Sequence, residues 1–492
     1  MRILTGIIIA VSAFTSAVGQ DYSKGKYLLE TEQLNNAKKH FAEMAKNAPA
    51  DSKALFFLGE TYYRQNQTDS AKIYFQKASE IDPKSNLNQA GMAKILYKSN
   101  PAEGKAALDK IVGQLKSKDT ETPVYIAEFF ISEKEADKAL AALSGQLEGD
   151  VKIPEIFLAA GDGWLLKNDG SKALEFYERK ALSLNQDYPA TLLRIGRLYT
   201  KTRNLELALQ YFNKAAEKDP GYAPAHKEAA EVFYKAGQYK KAIASYQKYM
   251  AIADKDPESD YRYASFLFLN KDYQGALKYL TDLTATAEHK DNFYLYRLLA
   301  YSNFETGNTD KASENIEIFF TKVAPNKIIA SDYEYRGKIQ NKKGNNAEAL
   351  TNLKKAQELD PANISLYSEI GNIYMAQKNF SEAALSYEGK LKKSAGNPNE
   401  YLNYGKAVYY QQDFKKADSV FTILATKIPD LPHGHLWRAK ALEQTDPDMK
   451  QALAKPHYEK FVEISEKEKE KYKSDFINAC SYLGSYYAQA GD

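Results

Sequence analysis

One cysteine, Cys480, in 492 residues rules out any disulfide within the chain, so its stability has to come from packing. Charge of one sign is missing as well. Lysine plus arginine number 67 against 64 acidic residues, a net charge of +3, and no long segment is one-sidedly basic. Without a basic patch there is little to draw a polyanion, so nucleic acid is excluded as an expected partner. Tryptophan is scarce, with 2 residues against 37 tyrosines.

Long apolar runs are also lacking. The uncharged stretch from Ile3 to Ala17 supplies about 16 apolar and small residues, short of the roughly 20 that span a bilayer. It follows Met1-Arg2 and ends in Ala17-Val18-Gly19, so residues 1–19 have the basic, apolar and small-x-small layout of a secretory signal. We expect its removal, and hence an exported protein, periplasmic or secreted. No membrane span is expected after cleavage, and no cysteine lies near the cleavage site to carry a lipid.

Clusters that carry chemistry are few. The histidines are His40, His226, His289, His433, His435 and His457. Only His433 and His435 are close, without a third ligand nearby in sequence, so no metal is expected. Cys480 next to Leu483 reads as an inert, buried thiol. Gly161-Asp162-Gly163 lacks the preceding strand and third glycine of a dinucleotide loop. No catalytic residue and no cofactor is expected.

What the chain does have is a period. Small residues that end an apolar-small pair fall at Gly196, Ala230 and Ala264, then at Gly337, Gly371, Gly405 and Ala439. A second series lies 12 residues further on, at Ala208, Ala242, Ala276, Ala312, Ala349, Ala383 and Ala417, with Ala37 and Ala71 in the same spacing. Apolar positions three and four apart within each half predict two amphipathic helices per repeat. Gly237, Gly307 and Gly344 stand where a left-handed turn between the helices is needed. Pro49, Pro83, Pro220, Pro361 and Pro429 close units, because proline cannot continue a helix.

These units resemble the tetratricopeptide repeat. Its pattern of Leu-Gly, Tyr, Ala, aromatic, Ala and Pro is matched by Leu58-Gly59, Tyr62, Ala71, Phe75, Ala78 and Pro83. Ile195-Gly196, Tyr199, Ala208, Phe212, Ala215 and Pro220 match it again. The resemblance covers nearly all of residues 24–492, about thirteen units, and implies an all-α, right-handed superhelical solenoid of stacked helix-turn-helix repeats. After the signal, we expect N-terminal repeats over 20–150 (degenerate from 84), central repeats over 151–283, an extended loop over 284–291, and C-terminal repeats over 292–492 ending in an incomplete unit. Pro456 should start or kink a helix, and Glu466–Lys471 should be a solvated helix extension.

In that family the first helices line a concave groove, and positions two before or one after the small residue tend to face a bound peptide. The resemblance therefore implies ligand contacts at Arg194, Arg262, Tyr335, Asn403, Trp437 and Tyr482, and at Asn372 and Lys406. Tyr409, followed by Tyr410, adds aromatic area on the same face. Ser368, His433 and Trp437 stand where a carboxylate clamp of the family has lysine or arginine, which argues against that clamp. Aromatic-arginine pairs recur at Tyr261-Arg262, Tyr296-Arg297, Tyr335-Arg336 and Trp437-Arg438; these arginines either bind a ligand or pair with acidic groups of a neighbouring helix. The function expected is a non-catalytic protein-interaction scaffold of the cell envelope, binding a peptide or partner protein, most of all over about 330–460. Two alternatives remain open: a structural subunit docking through its incomplete last repeat, and a carbohydrate- or peptidoglycan-binding module stacking sugars on the tyrosines.

Overall fold

The computed structural model describes residues 21–149, 151–286 and 291–491; the signal expected over 1–19 and residues 287–290 of the expected loop lie outside them. Every regular element among the described residues is helical. Helix pairs follow one another from Tyr22–Glu30 with Leu34–Asn47 to Pro432–Thr445 with Lys455–Ser465, and a further first helix, Lys473–Ala490, comes last. The fold is the superhelical stack of helix-turn-helix repeats that the period implies. It divides into two compact units, residues 1–271 and 272–492, and the division falls inside a repeat, at the turn after Pro257–Leu269.

The two small-residue series explain how a pair closes. The second-series alanines are fully buried, and of the first-series glycines Gly196, Gly371 and Gly405 sit under an aromatic ring of the paired helix and Gly337 under Leu353. A Cβ on Gly196 would lie 2.5 Å from Phe212, and one on Gly405 would lie 2.4 Å from Phe421. Phe75, Phe212, Tyr387 and Phe421 are themselves buried, each side chain contributing about 1.5–3 kcal/mol of transfer free energy. Stacking then joins neighbouring pairs into a continuous core.

Turn chemistry is only partly glycine. Gly237, Gly307 and Gly344 have φ of 70°, 83° and 83°, as their positions predict. The same left-handed position is filled by Asn66, Lys134, Asn168, Arg203, Lys271, Lys378 and Gln412 in other pairs. These side chains bear a backbone cost that stacking outweighs.

The stretch from 84, whose repeat signature is degenerate, forms the helices Asn86–Ser99, Pro101–Val112, Glu121–Ser132 and Ala136–Leu147. Two sequence expectations change. Glu466–Lys471 does not extend a helix: a 3-10 turn, Glu466–Glu468, interrupts it, and the segment is exposed. Cys480 is exposed, not buried, on the face of Lys473–Ala490 that also exposes Ile477 and Gly484. Pro456 sits in the first turn of Lys455–Ser465 and starts that helix, as expected. The second helix of the fifth pair contains a π-helical segment, Glu175–Ala181, in which Tyr177 lies under Gly161.

Candidate functional site: the first-helix face

In the N-terminal unit this face is occupied by its own side chains. Glu60, on Ser52–Arg64, is 3% exposed and accepts hydrogen bonds from Lys94 Nζ at 3.0 Å, Arg64 Nε at 2.9 Å and Tyr125 OH at 3.0 Å. Burial alone would raise the Glu60 carboxyl, but Lys94 and Arg64 outweigh it and hold it below the usual carboxylate range. Asp162, within the glycine pair of the sequence, accepts from Arg194 Nε at 2.8 Å and Tyr177 OH at 2.6 Å. Arg194, an expected ligand contact, is therefore committed inside the protein. Arg262 is too, in a two-pronged pair with Glu231 over the Tyr234 ring.

The first helix pair adds a closure that the period does not predict. Tyr222 OH donates to Glu30 at 2.8 Å and Tyr249 OH to Glu32 at 2.8 Å, and Lys227 Nζ lies 3.1 Å from Glu32. Backbone N–H groups join the same surfaces, Asp254 N donating to Glu32 O at 3.0 Å and Asn35 N to the Asp254 carboxylate Oδ2 at 2.7 Å. The turn of the first pair thus rests on the inter-repeat segments around 222 and 254. Within this unit the ribbon of repeats has come round until its two edges meet.

The C-terminal unit begins in the same self-satisfied way. Tyr335 OH donates to Glu305 at 2.8 Å, and its ring stacks on Tyr301 with centroids 3.9 Å apart. Asn372 accepts from Tyr387 OH at 2.7 Å. The arginines after aromatics are all ion-paired: Arg297 with Asp332, Arg336 with Glu317 and Arg438 with Asp418.

On Pro398–Tyr410 the pattern changes. Asn403 and Lys406 lie one turn apart on that helix, half-buried, with neither a side-chain hydrogen bond nor an ion pair among the described residues. Tyr409 stands beside them against Tyr410, Phe414 and Trp437, and Tyr410 is exposed and stacks on Phe380.

Trp437 and Tyr482 need correction as free groove residues. Trp437 is only 9% exposed, stacked on Phe421 and edge-on to Tyr409 and Tyr410, so its main role is core packing. Tyr482 is 5% exposed against Tyr458, with its hydroxyl buried and unpartnered. His435 Nε2 donates to Pro429 O and its ring stacks with His457; His433 meets the ring of Tyr472. No group of metal-ligating side chains and no helix able to cross a membrane occurs among the described residues.

One residue of this face went unnoticed in the sequence. Lys440 stands one position after the small residue Ala439, the place Lys406 holds after Gly405. The repeat spacing that marks Lys406 therefore marks Lys440 as well.

A stack of helix pairs with a continuous core and a polar first-helix face is the build of a repeat scaffold. Models of the tetratricopeptide repeat match residues 28–95 and 203–262, and a model of the TPR repeat matches 337–378. The crystal structure of the C-terminal part of a TPR repeat-containing protein from Cytophaga hutchinsonii is 35% identical, covering 47% of this chain and 89% of that one, with a TM-score of 0.42. TPR repeat-containing protein YpiA of Bacillus subtilis is 25% identical over 302 residues, 60% of this chain and 69% of its own length. Anaphase-promoting complex subunit 3 of Schizosaccharomyces pombe is 22% identical over 273 residues, and the chain spans 41% of that protein's length. The chain carries tetratricopeptide repeats, and proteins built of them generally mediate protein–protein interaction and are typically non-catalytic.

Proposed function

We infer that this chain is an exported, non-catalytic scaffold of the cell envelope, and that the first-helix face of its C-terminal unit holds a peptide or a segment of a partner protein. The carrying observation is the contrast along that face. Its polar groups pair with one another up to Asn372, whereas Asn403 and Lys406 are half-buried and unpaired beside exposed Tyr410. An amide can donate to a peptide carbonyl and accept from its N–H together, and tyrosine supplies contact area at little entropy cost.

Photo-crosslinking in intact cells from positions 403 and 410, with the exposed Ile423 position on the second-helix side as control, tests this. A discrete protein adduct from the face and not from 423 is expected. Adducts with glycan would replace the reading by a carbohydrate-binding one, and none beyond the control would refute it. Export is tested separately by N-terminal sequencing of the cellular protein, with a start near residue 20 expected and an intact Met1-Arg2 end against it.

A further inference from the structure

We propose that Lys406, Lys440 and His433 form an anion subsite around the Trp437 ring that takes the carboxylate side chains of an acidic segment of a partner protein. This rests on the scaffold reading and names the chemistry of its site. Lys406 and Lys440 occupy the same position of adjacent repeats, and their ammonium groups lie 5.1 and 4.8 Å from the centroid of that one ring. Stacking thus brings two like charges onto one aromatic surface.

The opposing charge is incomplete. Asp475, on Lys473–Ala490, pairs with Lys440 at 2.6 Å, and Lys471 near by pairs with Glu468 at 2.8 Å. Glu443, further along the helix of Lys440, accepts the Tyr458 hydroxyl at 2.5 Å. That leaves Lys406 without an ion pair among the described residues, Asp475 being the carboxylate whose charge reaches it, and His433 faces Lys406, Lys440, Lys471 and Asp475. Burial, then Lys440, pushes the Lys406 ammonium below its ordinary value, and burial, then Lys406, does the same to His433. Both groups gain if an anion arrives, through charge-assisted hydrogen bonds in a half-buried setting.

The surplus is small and local, which suits single carboxylates presented along a peptide and not a polyanionic backbone. Asn403, one turn before Lys406 with its amide free, is placed to hold the peptide main chain alongside, and Tyr409 and Tyr410 flank it. Of the three groups, Lys440 is paired with Asp475, Lys406 makes no ion pair, and His433, held below its ordinary value, gains its proton more readily when an anion arrives.

The test uses the full chain and a fluorescent decaglutamate, acetylated and amidated so that only side-chain carboxylates are present, read by anisotropy at low ionic strength. Binding is expected, with Lys406→Gln weakening it about tenfold or more and leaving the melting temperature unchanged or higher, because an unpaired, repelled charge is removed. Lys406→Arg should restore binding, and Asp475→Asn, which frees Lys440, should tighten it. No binding by the parent chain, equal binding by Lys406→Gln, equal binding of a decalysine probe, or displacement by inorganic phosphate at matched ionic strength would each overturn the proposal. A protein adduct from position 403 together with no decaglutamate binding overturns this inference alone; absence of both removes the scaffold reading with it.

Discussion

The two units use one repeat differently. In the N-terminal unit the first helices turn glutamates, arginines and tyrosines toward one another, and Glu60 and Asp162 each gather a cation and a phenol. In the C-terminal unit the corresponding surface around Pro398–Tyr410 and Pro432–Thr445 leaves Asn403 and Lys406 unpaired. The helices and turns are alike, so the fold does not make this difference. It lies in whether the polar residues of adjacent first helices are complementary in charge. A repeat array can therefore devote one stretch of its inner face to its own stability and leave another for a ligand.

The largest effects should come from breaking the self-satisfied face. Glu60→Ala strands Lys94, 8% exposed, as an uncompensated buried charge, and should cost about 3–5 kcal/mol, read as an earlier denaturant transition of the N-terminal unit. Trp437→Ala should cost a comparable amount, about 3–5 kcal/mol by cavity formation, since the ring is packed on Phe421. Loss of partner binding in that variant then reports on folding, and Lys406→Gln is the cleaner test of the site.

Smaller effects sharpen the comparison at equivalent positions. Gly405→Ala forces a Cβ to 2.4 Å from Phe421 and should destabilise by about 1–3 kcal/mol through overpacking. Gly484→Ala, at the corresponding position of Lys473–Ala490, meets nothing within 4 Å, and should stabilise by about 0.5–1 kcal/mol, the usual gain for glycine to alanine inside a helix. Equal melting shifts for the two would contradict the assigned register.

Acid should separate the units in sequence. His457 is pushed down to about 4 by burial, then by Arg438 and His435, with Asp418 opposing. A histidine whose folded pKa is depressed lends stability above its unfolded value of about 6.5, and that stability is lost as pH falls toward about 4. The Glu60 carboxyl is held low, so its contribution persists down to the unfolded glutamate value of about 4.3 and is lost below it. Urea midpoints of the C-terminal unit, which holds the depressed His433 and His457, should therefore fall further in this range than those of the N-terminal unit, which holds the depressed His226, and His457→Asn should reduce that early loss.

The period made the fold legible because each repeat must present the same small, apolar and aromatic residues to its neighbours. Gly237, Gly307 and Gly344 exposed the turn for the same reason, while Lys134 and Lys378 hid it: nothing about a lysine announces a positive φ. The closure through Glu30 and Glu32 was illegible, since it joins residues 192 to 217 apart that share no period. Arg194, expected as a ligand contact, is ion-paired with Asp162, and Arg262, for which the sequence left ligand and ion pair both open, is paired with Glu231; which acidic residue of another helix faces each arginine only the stack reveals. Trp437 misled for the converse reason. Its repeat position is right for a ligand, yet Tyr409, Tyr410 and Phe421 enclose it.

The most direct measurement places the same photo-crosslinker at positions 197 and 403 in parallel, in cells. Both stand on first helices, and Arg197 is paired with Glu228 in the N-terminal unit, whereas Asn403 is unpaired in the C-terminal one. Protein adducts from 403 and none from 197 are predicted. Adducts from 197 with none from 403 would contradict the account and move the binding face to the N-terminal unit.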